Sequence, residues 1–191
     1  MNNLNDNNLL ILLYHGVYEH ELNGIENYSG KHINKNDFVA QLQLLKKKNY
    51  NFLSFEEIVQ IIKTGNKFPK KSVALSFDDG FYNNYKIAAP ILKKKELYAT
   101  FYLTTSFIEK NETSWIDKIE HMIEKVKTKK IINVFNKKFK IDNNKKMKIN
   151  FLKSIRYLAK KDNTDFNKLV MDIKKQLGFN HKLNNLNNIW K

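Results

Sequence analysis

The chain has 191 residues, 42% of them hydrophobic and 13% aromatic, which supplies a folded core and excludes general disorder. It has no cysteine, which excludes disulfides, thiolate metal sites and a cysteine nucleophile. The formal net charge is +15, but Arg156 is the only arginine among 34 basic residues, and phosphate or base recognition favours arginine's planar fork. The excess therefore reads as lysine-rich solvated surface, with no nucleic-acid partner expected. No apolar run approaches the roughly 20 residues that cross a bilayer, and Met1–Asn8 lacks the basic start of a leader. The expectation is a cytoplasmic chain without a transmembrane segment, compatible with association at the envelope.

Leu9–Tyr14 is a short apolar run that ends at His15-Gly16, predicting a buried strand and a turn. A polar loop follows. Asn36-Asp37 opens a helix with Phe38, Leu42 and Leu45 on one face, and lysines 46 to 48 close it where they suit the helix dipole. Ser54 and Glu57 form a capping-box pattern ahead of Ile58, Ile61 and Ile62, and Gly65 ends that helix. Lys71–Phe77 is nearly continuous in apolar residues, as in a strand covered on both faces of a parallel sheet. Asp78-Asp79-Gly80 stops it.

A helix is expected over Asn84–Lys95, kinked or broken by Pro90, and a strand over Tyr98–Leu103. This alternation of strand and helix argues for an α/β fold with parallel strands. The rhythm then changes. Trp115, Ile119, Met122, Ile123 and Val126 predict a helix over Ser114–Lys127, and Ile131–Ile141 a two-stranded ribbon turning near Asn136-Lys137. Further amphipathic helices are expected over Lys145–Lys160 and Asp165–Leu177.

Asp78 and Asp79 stand at the C-terminal end of a parallel strand, the end at which such sheets present ligands. Adjacent carboxylates repel each other unless a cation or proton sits between them, although Asp-Gly is also an ordinary turn dipeptide. His15 ends the first strand. It reads either as lining the same pocket, where it would bind substrate, or as a hydrogen-bonded structural histidine. A phosphatase with two aspartates around a single spacer does not fit, because Asp78 and Asp79 are adjacent. A calcium loop does not fit either, since Phe81 and Tyr82 stand where oxygen ligands belong.

The run VALSFDDGFYNNYKIAAPILKKKELYATFYL resembles the first motif of the polysaccharide deacetylases, with strand, Asp-Asp-Gly, helix and next strand in order. LLYHGV, DFVAQLQLLKKKNYNFLSFEEI and Trp115–Asp117 extend the resemblance over roughly residues 9 to 120. It implies a hydrolase that removes N-acetyl groups from an amino-sugar polysaccharide, with Asp78 as catalytic base, Asp79 as metal ligand and a divalent cation, zinc by the family's habit. It also implies a distorted (β/α) barrel, here partial, with a helix-rich insertion and the chain stopping before the barrel is complete. The corresponding division is 1–108 for the N-terminal part of the barrel, 109–182 for the helical insertion with its short β-ribbon, and 183–191 for the start of the next barrel element. The family's paired-histidine motif has no counterpart, since no two of His15, His20, His32, His121 and His181 are four apart. The ligand set is thus incomplete in this chain, and a truncated, non-catalytic fragment or pseudoenzyme is the alternative expectation.

Overall fold

The computed structural model describes residues 8–109, 113–161 and 163–180; the expected element at 183–191 lies outside them. The described residues divide into two compact units, one of 8–20 and 30–104, the other of 21–29 and 105–180. The second unit thus takes a stretch, 21–29, that the sequence division gave to the N-terminal part.

In the first unit, β1 (Leu9–Tyr14) leads into β2 (Gly16–Tyr18), which pairs in parallel with β3 (His32–Asn34). Both lie in what the sequence presents as a polar loop. Three-residue strands are too short to show a period, so pattern reading passes over them. Helix α1 (Lys35–Lys47) starts slightly earlier than expected, because the Asn34 side chain accepts the Asn36 amide and caps it. Its Phe38 and Leu42 are buried. After β4 (Asn51–Phe52), helix α2 (Phe55–Thr64) carries the expected capping box, with Ser54 Oγ accepting from the Glu57 amide at 3.2 Å and Glu57 Oε2 from the Ser54 amide at 2.7 Å. Its apolar face is narrower than expected. Ile58 is buried, but Ile62 is 64% exposed, since the line of contact runs through Ile58 and Ile61 and turns Ile62 outward.

Strand β5 (Ser72–Phe77) is buried at all six positions. It pairs in parallel with β1 along its whole length. Its other edge is shared: β4 pairs with Ser72 and Val73, and β6 (Thr100–Phe101) with Ser76 and Phe77. The α/β character with parallel strands is as the sequence indicated. Among the described residues this four-stranded sheet stays open. The last strand is shorter than the expected Tyr98–Leu103.

Between β5 and β6 the chain makes one turn of π-helix, Asn84–Ala88, before α3 (Ala89–Lys94). Pro90 has no amide hydrogen to donate and crowds the carbonyl four residues back in an α-helix. The wide turn relieves that crowding, with the Ala89 amide donating to the Asn84 carbonyl. The core of this unit is Val73, Leu75 and Phe77 of β5, with Phe38, Leu42 and Leu92 from the helices.

The second unit holds α4 (Thr105–Glu109), α5 (Trp115–Glu124), the hairpin β7 (Lys130–Val134) and β8 (Lys137–Ile141), α6 (Lys145–Lys161) and α7 (Phe166–Leu177). Phe135 and Asn136 both take positive φ, as a two-residue turn between antiparallel strands requires. Trp115 stacks on Phe166 at 4.8 Å and packs against this core. Lys148 is buried, and its Nζ donates to the Glu124 carbonyl at the end of α5, 2.8 Å away. Burial lowers its pKa. The segment 21–29 joins through Ile25, whose side chain is buried and whose amide donates to Glu124 Oε2 at 3.0 Å. Among the described residues no helix is long and apolar enough to cross a membrane.

Candidate active site at the end of the central strand

Side chains alternate faces along a strand and share a face across a register row. Tyr14, Phe77 and Phe101 form one such row over β1, β5 and β6, with Tyr14 stacked on Phe77 at 5.2 Å and Phe77 on Phe101 at 4.8 Å. Phe38 meets Tyr14 edge-on at 5.1 Å. The Tyr14 hydroxyl donates to Gln41 Oε1 at 2.8 Å, and burial raises its pKa to about 12. This buried aromatic layer is the floor beneath the strand ends.

The ladder runs one rung further. The Asp78 amide donates to the Tyr14 carbonyl at 2.9 Å, and the Tyr102 amide to the Phe77 carbonyl at 2.8 Å. The register therefore sets His15, Asp78 and Tyr102 side by side on three adjacent chains, just past the last paired residues. His15 and Asp78 are half-buried and Tyr102 is exposed.

Asp79 and Gly80 then take φ of 71° each. Left-handed backbone is uncommon for a residue with a Cβ, though aspartate tolerates it better than most, and such strain concentrates where function over-determines the backbone. At Gly80 a Cβ would meet Leu103 Cδ2 at 2.8 Å, the movable end of an exposed side chain, so it is the backbone conformation that calls for glycine. Asp78 and Asp79 thus stand at the mouth of the strand, both half-buried.

Behind this corner lies a polar cluster that the sequence gave no reason to single out. His32 opens β3 and is 4% exposed. Its Nδ1 lies 3.3 Å from the Asn83 carboxamide, and its ring meets Phe81 edge-on at 4.8 Å. Burial, with the nearby charges of Lys31 and His15, lowers its pKa to about 3, so the imidazole is neutral. Gly16 lies directly on the cluster, because a Cβ there would be 2.3 Å from His32 Nδ1. His32 and Asn83 thereby tie the segment after Asp79 to the segment after His15. Only the length of the chain between them hid this pairing, since their types carry no motif.

A divalent ion is implied by the family resemblance. Among the described residues no three His, Asp or Glu side chains group closely enough to hold one. Catalytic zinc takes three protein ligands and keeps a fourth position open. The described residues do not fit a complete centre of that kind.

Residues 65–138 match the family model for polysaccharide deacetylase. The poly-beta-1,6-N-acetyl-D-glucosamine N-deacetylase of Staphylococcus epidermidis is 36% identical over 113 residues, which is 53% of this chain and 38% of the relative. The Staphylococcus aureus protein of the same name is 36% identical over 95 residues, 50% of this chain and 31% of the relative. The chain therefore spans well under half the length of these curated relatives. Among solved structures, a Streptococcus pyogenes deacetylase in complex with acetate is 35% identical, covering 53% of this chain and 44% of that one at a TM-score of 0.46. A de-N-acetylase from Aggregatibacter actinomycetemcomitans is 26% identical, covering 71% of this chain and 45% of that one, also at 0.46.

Proposed function

We propose, for a chain whose N-terminal part is of the polysaccharide deacetylase family, that the Asp78–Asp79 corner serves hydrolysis of acetamide groups on an N-acetylated amino-sugar polysaccharide. The observation that carries the reading is the pair of carboxylates held at the end of the buried parallel strand by successive left-handed residues. Asp78 is the base: its carboxylate takes a proton from the water that attacks the acetyl carbonyl and hands that proton to the nitrogen as the C–N bond breaks, releasing acetate and the amine. Asp79 is the one metal-ligand position that the family resemblance assigns to this chain, and His15, on the rung beside Asp78, is a hydrogen-bonding partner for the sugar. The parallel sheet is read as part of a (β/α) barrel. A cytoplasmic location, with association at the envelope as its alternative, is a separate proposal, checked by fractionating cells.

The alternative reading is a truncated, non-catalytic fragment or pseudoenzyme without the paired-histidine motif, binding glycan without hydrolysing it. Acetate release from a β-1,6-linked N-acetylglucosamine oligomer, measured for the whole gene product with and without zinc, separates the two. Release that Asp78→Asn lowers a hundredfold or more fits the hydrolase, since positioned bases contribute about 10²–10⁴-fold. Oligomer binding without release fits the binding protein, and absence of both sinks each reading.

A further inference from the structure

We infer that Tyr102 is a stacking platform for a neutral N-acetylated sugar ring beside Asp78, an inference that rests on the polysaccharide reading above. Three observations carry it. The backbone bond from the Tyr102 amide to the Phe77 carbonyl puts this residue on the same rung as Asp78, at the end of the neighbouring strand. The preceding residue, Phe101, packs into the aromatic floor, whereas Tyr102 is 50% exposed and contributes little to the core. Its ring is nevertheless held. Phe55, the first residue of α2, meets it edge-on at 6.2 Å and 84°. A large ring half open to solvent and steadied from one side offers a rigid apolar face with a polar tip, which is the form that recognition surfaces use.

The chemistry of the occupant follows from that surface. A pyranose ring presents C–H groups on its faces and hydroxyls around its rim, which matches an aromatic face with a phenol at its end. An N-acetylated sugar carries no charge, so stacking its C–H face involves no desolvation of an ion and leaves the rim hydroxyls in water. The other exposed aromatics near the corner are less available. Tyr82 and Tyr85 share the Lys86 ammonium, which lies 5.4 Å from one ring and 5.7 Å from the other. A cation already occupies a face of each.

The test titrates the 191-residue chain with a soluble β-1,6-linked N-acetylglucosamine pentamer, followed by calorimetry. Tyr102→Ala should weaken binding about three- to tenfold, the scale of one aromatic stacking contact. Tyr102→Phe should keep the affinity, and Tyr82→Ala should leave it unchanged. Thermal midpoints of all three variants serve as the folding control. Wild-type affinity in Tyr102→Ala overturns the platform while the polysaccharide reading stands. Failure of the wild-type chain to bind the pentamer at millimolar concentration overturns both.

Discussion

The Asn83 carboxamide and Nδ1 of His32 lie 3.3 Å apart across 51 residues of sequence, and both side chains are buried. Their contact joins the segment that carries Asp78 and Asp79 to the start of β3. The burial of His32 also makes the first unit sensitive to acid.

His32 has its pKa lowered in the fold to about 3 from an ordinary 6.5. Above pH 6.5 it is neutral in both states and contributes nothing to pH dependence. As pH falls below 6.5 the unfolded chain takes up a proton that the fold refuses, so stability declines, and the decline levels off below about pH 3. Between pH 6.5 and 5 the loss should be about 2 kcal/mol. Urea midpoints measured across that range should fall less steeply in His32→Asn than in wild type. Parallel slopes for the two would show that His32 is not buried as described.

The turn at Gly80 needs a left-handed residue, and a Cβ there would press only on the movable end of Leu103. Gly80→Ala should cost about 1–2 kcal/mol from backbone conformation alone. Adding Leu103→Ala should recover only the contact part, because Leu103 Cδ2 is the end of a flexible side chain. Gly80→Asn should be milder than Gly80→Ala, since asparagine tolerates this conformation better. Chemical denaturation of the three variants checks the order.

Zinc should bind the 191-residue chain weakly and be weakened further by Asp79→Ala, with Asp78→Asn having the smaller effect. The reason is that Asp79 is the single ligand position the resemblance assigns, and among the described residues no three-ligand group accompanies it. Calorimetric titration with zinc reads this directly. Tight one-to-one binding would require ligands that the described residues do not bring together.

In the second unit Glu124 holds the segment 21–29 through the Ile25 amide. Glu124→Ala should leave that buried donor without its carboxylate and cost about 1–3 kcal/mol. Glu124→Gln keeps an acceptor and should retain most of the stability. Amide hydrogen exchange at Ile25 should quicken in the alanine variant and stay slow in the glutamine one.

Much of the first unit was readable because its signals are local. The Ser54–Glu57 capping box, the unbroken apolar run of β5 and the Asp-Asp-Gly stop each lie within a few residues, and each element formed where those signals stood. In the second unit Ser114 and Asp165 capped the expected helices, and the ribbon turned one residue from its expected place. The short strands β2 and β3 escaped notice, as did the attachment of 21–29 to the second unit. Three residues show no period, and no local pattern reports which distant core a polar segment will join.

The Asp78–Asp79 corner itself was a property of the sequence alone. An apolar run covered on both faces that stops at Asp-Asp-Gly marks a strand end at a turn, and aspartate and glycine tolerate the left-handed backbone found there. Of its neighbours the sequence suggested only His15, as one of two readings. His15 and Tyr102 reach the rung beside Asp78 through strand order and register, and His32 reaches Asn83 through the pairing of β2 with β3. Hydrogen bonding between strands is indifferent to side-chain identity, so the sequence near Asp78 could specify the carboxylates while only the assembled sheet could choose what stands beside them.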